Sequence, residues 1–115
     1  RLEYQRSAHG AALQLLQKTD YKDLPLNLAA KTLQLKIYYE LGEYDLLESH
    51  LKAFGAFIRR KKMLGYHRTN YLNTVLFAQK MLELNRYDKN AVAALRREVE
   101  ETAAVAEKEW LLGML

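Results

Sequence analysis

The chain has 115 residues, half of them apolar and just over a quarter charged, with a net charge of +4. That balance suits one globular domain and excludes an intrinsically disordered chain. It contains no cysteine, which excludes a disulfide framework, a thiolate metal site and a catalytic thiol. A reducing, cytoplasmic setting fits this. No apolar run approaches the length that spans a bilayer, so no membrane partner is expected. One proline and five glycines are too few turn signals for an all-β fold. The chain opens on Arg1 without an apolar leader-like run behind it. We read it as one helical domain, residues 1–115, forming the C-terminal part of a longer protein.

The first helix is expected over residues 3–18, where Tyr4, Ala8, Ala11 and Leu15 recur at helical spacing. A polar turn at Asp20–Asp23 follows. The second helix is expected from Pro25, suited to a first turn, to Leu41, ending at Gly42. Its expected inner stripe is Leu26, Ala30, Leu33, Ile37 and Leu41. Ala29, Leu35, Tyr38 and Tyr39 add apolar surface on other sides, the pattern of a helix sandwiched between neighbours.

The third helix is expected after Tyr44, with Asp45 as N-cap and Glu48 completing a capping box. Leu47, Leu51, Phe54 and Ile58 form its buried stripe, with Phe57 beside it. It runs out through Arg59, Arg60, Lys61 and Lys62. The fourth helix spans about Tyr66 to Leu84, with Tyr71, Leu72, Val75, Leu76, Gln79 and Leu82 expected inward. After a turn at Asn85–Tyr87, Asp88 caps a fifth helix carrying Val92, Leu95 and Val99 inward. A break over residues 102–106 is expected before a last helix with Trp110, Leu111 and Leu115.

Leu41-Gly42-Glu43-Tyr44-Asp45 reappears as Leu84-Asn85-Arg86-Tyr87-Asp88, and Leu33 aligns with Leu76 at the same offset. This predicts two degenerate copies of a helix–turn–helix unit. Asn would replace Gly in a left-handed position after the helix, the Tyr would pack across the hairpin, and the Asp would cap the next helix.

The segment Tyr38-Tyr39-Glu40-Leu41-Gly42-Glu43-Tyr44-Asp45 resembles the centre of a tetratricopeptide repeat, although the offset between copies exceeds that family's period of about 34 residues. Leu35–Tyr44 and Glu107–Leu112 are also similar to the C-terminal region of a group of bacterial helical-repeat proteins, a resemblance that implies fold and no activity. Together these imply an all-α fold of five or six helices, with antiparallel hairpins stacked as a short tetratricopeptide-like α-solenoid. Tetratricopeptide grooves are lined by the first helix of each pair. Carried over, this points to Thr32, Lys36 and Tyr39, and on the fourth helix to Leu72, Val75, Gln79 and Leu82. Gln79 is the polar member of that second set.

Charge is unevenly placed. From Ser49 to Leu82 there is no Asp or Glu, while Lys52, Arg59, Arg60, Lys61, Lys62, Arg68 and Lys80 fall in that stretch. The block Arg59–Lys62 with Arg68, interleaved with Tyr66 and Tyr71, can track phosphates and stack bases. It can equally be a solvated helix end stabilised by the dipole. His9, His50 and His67 lack a second ligand at i+3 or i+4, so no metal or other cofactor is expected. Phosphate-loop, nucleophile-elbow and H-E-x-x-H patterns are missing. Glu98, Glu100 and Glu101 sit beside Arg96 and Arg97, with 96/100 and 97/101 spaced as i,i+4 pairs. Trp110 either caps the end of the solenoid or anchors an interface.

The expected function is therefore non-enzymatic: a protein–protein interaction or scaffolding module that binds a protein or peptide, or the preceding part of its own chain. A nucleic-acid-binding module using residues 52–68 is the alternative.

Overall fold

The structure, a computed structural model, describes residues 23–115; the expected first helix, with Gly10 and His9, lies outside them. Among the described residues there are five helices and no strand: α1 (Leu24–Leu41), α2 (Tyr44–Arg60), α3 (Gly65–Glu83), α4 (Lys89–Glu101) and α5 (Lys108–Met114). The chain divides into two compact units at His50/Leu51.

In the first unit, Asp23 caps α1 by accepting the Leu26 N–H at 3.2 Å, with Pro25 in the first turn. At the other end Gly42 takes φ = 76°. The Gly42 N–H donates to the Tyr39 carbonyl and the Glu43 N–H to the Tyr38 carbonyl. This is a Schellman motif, a reversal that needs the left-handed region and so a glycine. Two residues later α2 has begun. The hairpin is closed near its turn by the Tyr39 and Tyr44 rings, 5.7 Å apart. Further along, the His50 Nε2–H donates to the Lys31 carbonyl at 2.8 Å, and the His50 ring meets Tyr38 edge-on. Pairing of 39 with 44 and 31 with 50 makes the two segments antiparallel.

Two expectations for this unit are corrected. Asp45 lies inside the first turn of α2 and is not its N-cap, so the Asp45–Glu48 capping box does not form. The Gly42 reversal is so tight that the helix starts at Tyr44, two residues earlier than an Asp45 cap implies. Asp45 still favours the positive end of the helix dipole. The inner stripe of α1 is also displaced. Leu28, Ala30, Thr32, Leu35, Ile37 and Tyr38 are buried, whereas Leu26 and Leu33 are 54% and 43% exposed. The helix is covered over most of its circumference, as its all-round apolarity implies, and the exposed strip runs through Leu26, Ala29, Leu33 and Glu40.

In the second unit, the expected α2 stripe is fully realised: Leu51, Phe54, Phe57 and Ile58 are buried, as is Leu47 before the division. Phe54 packs on Tyr71 of α3 at 6.4 Å. Thr74, Val75, Phe77, Ala78 and Met81 are the buried face of α3. Leu76, expected inward, is 45% exposed, and Leu72, Gln79 and Leu82 are half-buried. Asp88 caps α4 by accepting the Ala91 N–H at 3.0 Å, and Leu95 and Val99 are buried.

The second copy of the pentapeptide departs from the first. Asn85 does not take a positive φ, a conformation that no described non-glycine residue adopts. Residues 84–88 are all non-helical, and Tyr87 is 96% exposed and packs across nothing. Without glycine the left-handed reversal is costly, so the chain takes a longer turn in which Asn85 Oδ1 accepts the Tyr87 N–H.

The break after α4 spans residues 102–107. It is stapled to α3 by polar groups: Asn73 Nδ2 donates to the Ala104 carbonyl at 2.9 Å, and Thr74 Oγ1 accepts the Ala106 N–H at 3.0 Å. These bonds explain a threonine 1% exposed in an otherwise apolar face. They also turn the chain back so that α5 packs on α4 and α3. Leu111 is the fully buried side chain of α5, and Trp110 is half-buried. The last carbonyls of α5 are capped by arginines, Arg86 on Met114 at 2.8 Å and Arg96 on Leu112 at 3.0 Å.

Candidate functional site

The sequence candidates fall into three places. In the first unit, Thr32 is 6% exposed and its hydroxyl donates to the Leu28 carbonyl at 2.7 Å. It offers no surface to a partner, because the buried face of α1 includes it. Lys36 is half-exposed, and Tyr39 is half-buried against Tyr44. This trio is therefore not one exposed stripe.

The basic block lies at the exit of α2. Arg59, Arg60, Lys61 and Lys62 are all exposed, and Arg59 and Arg60 occupy the last helical turn. Lys61 Nζ lies 5.4 Å above the Phe57 ring, a cation–π contact. Arg68 is half-buried. Its Nη2 donates to the Lys61 carbonyl at 2.8 Å, tying α3 to the linker that follows α2, while its Nε is enclosed without a partner. Lys80 is held by Glu98 across α3 and α4 at 2.6 Å. Several members of the acid-free stretch thus already serve the fold.

The third place joins residues that the sequence treated separately. Between α2 and α3 lies an open groove of about 360 Å³. One bank is Leu51, Lys52, Gly55 and Arg59 of α2; the other is Leu72, Asn73, Val75, Leu76 and Gln79 of α3. Spacings of three and four residues put each set on one helix face. The floor is apolar, from buried Leu51 and Val75 to half-buried Leu72 and exposed Leu76. The rim is cationic and amide: Lys52 and Arg59 are exposed, and among the described residues no acid lines the groove. Gln79, a groove candidate, and Arg59, a basic-surface candidate, come together here.

Gly55 was not singled out from the sequence, and it shapes the groove. It is buried, and a β-carbon built on it would lie 3.3 Å from Arg59 Nη1 and 3.9 Å from Val75 Cγ1. The guanidinium therefore lies over bare backbone at Gly55. A lone glycine inside an apolar helical pattern was the available signal for such a close approach.

The titration of His50 is displaced. Burial lowers its pKa below 6.5, and the Lys31 charge acts in the same direction, while the hydrogen bond to the Lys31 carbonyl opposes them. Its environment is that of a neutral core imidazole. Among the described residues, no group of three His, Asp or Glu side chains is arranged to hold a metal, and no helix is long and apolar enough to cross a membrane. No protein-family model matches the chain, and no curated protein or solved structure matches it at a significant level.

Proposed function

We propose that this chain is a non-enzymatic protein-interaction module of helical-repeat type and that its docking site is the α2–α3 groove. One observation carries the reading: among the described residues the groove combines an apolar floor with a cationic and amide rim. An apolar floor supplies affinity and a polar rim supplies orientation, as peptide-recognition grooves require. The arrangement of the hairpins as a short tetratricopeptide-like solenoid belongs to the same proposal. It is supported by the antiparallel pairing of α1 with α2 and by the Gly42 reversal at the family's turn position. Commitment of Lys80 to Glu98, Arg68 to Lys61 and Lys61 to Phe57 favours this reading over a phosphate-tracking surface.

Selection from a random peptide-display library tests it. Selected peptides should lose binding to a Leu76→Asp variant, which changes an exposed groove residue without disturbing the core. Indifference to that variant would overturn the assignment of the site. Single-stranded RNA provides the competing arm. RNA binding whose logarithm falls with salt at about −0.7 per phosphate contact, with no peptide selected, would replace this reading by the nucleic-acid one.

A further inference from the structure

We infer that the turn between α2 and α3 is a peripheral membrane contact. Its cations meet the headgroups of an anionic bilayer, and two large apolar side chains enter the interfacial layer. This is independent of the groove reading: on the α2 side the groove lining ends at Arg59, and the turn lies beyond it. It revises the expectation of no membrane partner, which rested on the length of a spanning helix; a peripheral contact needs none. Residues 59–67 form one exposed run broken only by half-buried Met63, and 61–64 are non-helical. Arg60, Lys61 and Lys62 come first. The described ion pairs, Lys80–Glu98 and Arg96–Glu100, involve none of the three. Lys61 lies over the Phe57 ring yet keeps its charge at the surface. Arg60 and Lys62 stand outside the contacts that tie Arg68 and Lys80 to the fold.

Leu64 and Tyr66 follow, each 70% exposed. Leu64 holds the N-cap position of α3, where its side chain gives the first-turn N–H groups no hydrogen bond. Ser, Thr, Asp or Asn would supply one. A leucine there serves neither the core nor the helix, and such local conflicts are expected at functional positions. Gly65 adds no side chain between the two, and a β-carbon on it would meet nothing within 4 Å, so the tip is uncrowded. A tyrosine beside cations and an aliphatic tip is a composition that settles at headgroup level. A bilayer uses both halves of the turn. Cations alone would suit RNA, but base stacking uses aromatic faces and gives Leu64 no task. A protruding turn also encloses no peptide side chain, whereas a lipid surface accepts a protrusion.

The test is co-sedimentation of the full chain with two kinds of vesicle, phosphatidylcholine alone and equal parts phosphatidylcholine and phosphatidylglycerol. Binding is expected to the anionic vesicles and not to the neutral ones, weakening as salt rises. Each cation near an anionic surface contributes about fivefold in partitioning, so Arg60→Gln with Lys62→Gln should weaken binding roughly 25-fold. Circular dichroism of that double variant, which changes exposed residues, checks that the fold is kept. Leu64→Ser separates a membrane role from a structural one. It removes the apolar tip and supplies a helix cap, so vesicle binding should fall roughly threefold or more while the thermal midpoint holds or rises. Leu64→Met, which keeps an apolar tip, should retain binding. Equal binding to both vesicles, binding to neither, or binding that Leu64→Ser leaves unchanged would overturn the inference. Binding of labelled single-stranded RNA without any vesicle binding would overturn it as well and assign the cations to nucleic acid.

Discussion

Replacing Leu111 by alanine should detach the C-terminal helix. Leu111 is 0% exposed and is the buried anchor of α5, a helix of only seven residues. So short a helix does not persist in water without packing. Its other ties include exposed hydrogen bonds: Arg86 on the Met114 carbonyl, Arg96 on the Leu112 carbonyl and Lys108 on the Glu100 carbonyl. Each is worth on the order of 1 kcal/mol. Truncating a buried leucine costs about 2–5 kcal/mol, as much as those three ties together. Trp110, the sole tryptophan of the sequence, sits on the same helix half-buried, and its emission reports docking directly. In urea, the Leu111→Ala chain should lose its Trp110 signal at lower denaturant than its far-UV circular dichroism. The parent should lose both together. Coincident transitions in the variant, with a stability loss under about 1 kcal/mol, would refute the idea that Leu111 holds α5 in place.

Three further outcomes can be measured by the same denaturation. Leu35→Ala, at a fully buried site, should cost about 2–5 kcal/mol, whereas Leu33→Ala, at a 43% exposed site two residues away, should cost well under half of that. Gly42→Ala forces a β-carbon into φ = 76° and should cost about 1 kcal/mol or more, even though nothing crowds the site. Stability should also fall on acidification from pH 7 to pH 5. The folded-state pKa of His50 lies below 6.5, so the unfolded chain takes up the proton first. The neutral-His50 contribution is complete above about 6.5 and is lost as pH drops toward the folded value. His50→Gln should flatten that part of the profile.

The helices that could be read correctly from the sequence were those with one clear apolar face. In α2 and α4 the expected inward residues Leu47, Leu51, Phe54, Ile58, Leu95 and Val99 are buried, with Val92 at the start of α4 only half-buried, because a single stripe admits a single orientation. In α1 and α3 apolar residues occur all round, so several stripes fit the spacing and only tertiary packing selects among them. Leu33 and Leu76, aligned as repeat equivalents, are both substantially exposed. The repeat likewise overstated the turns. Identical Leu and Tyr-Asp positions frame both, but the residue between them decides the backbone: glycine turns left-handed, and asparagine here does not. The break at 102–107 was visible as a loss of periodicity. Its partners, Asn73 and Thr74 on α3, were not, because polar residues within a helix do not reveal which distant carbonyl or N–H they will satisfy. Gln79 and Arg59 were each marked as candidates on unrelated grounds. Their meeting across one groove, over Gly55, is a tertiary fact that no local pattern encodes.

The open turn before α4 has a practical consequence. Tyr87 projects almost wholly into solvent, while its neighbours keep the turn in shape through the Asn85 side chain, the Asp88 cap and the reach of Arg86 to Met114. Because the chain contains no cysteine, a thiol placed at position 87 would be unique. A dye, spin label or surface linker attached there would displace no packed side chain and would leave the α2–α3 residues untouched. The second copy of the turn motif, which failed to reproduce the backbone of the first, thereby supplies an attachment point from which the groove can be interrogated without altering it.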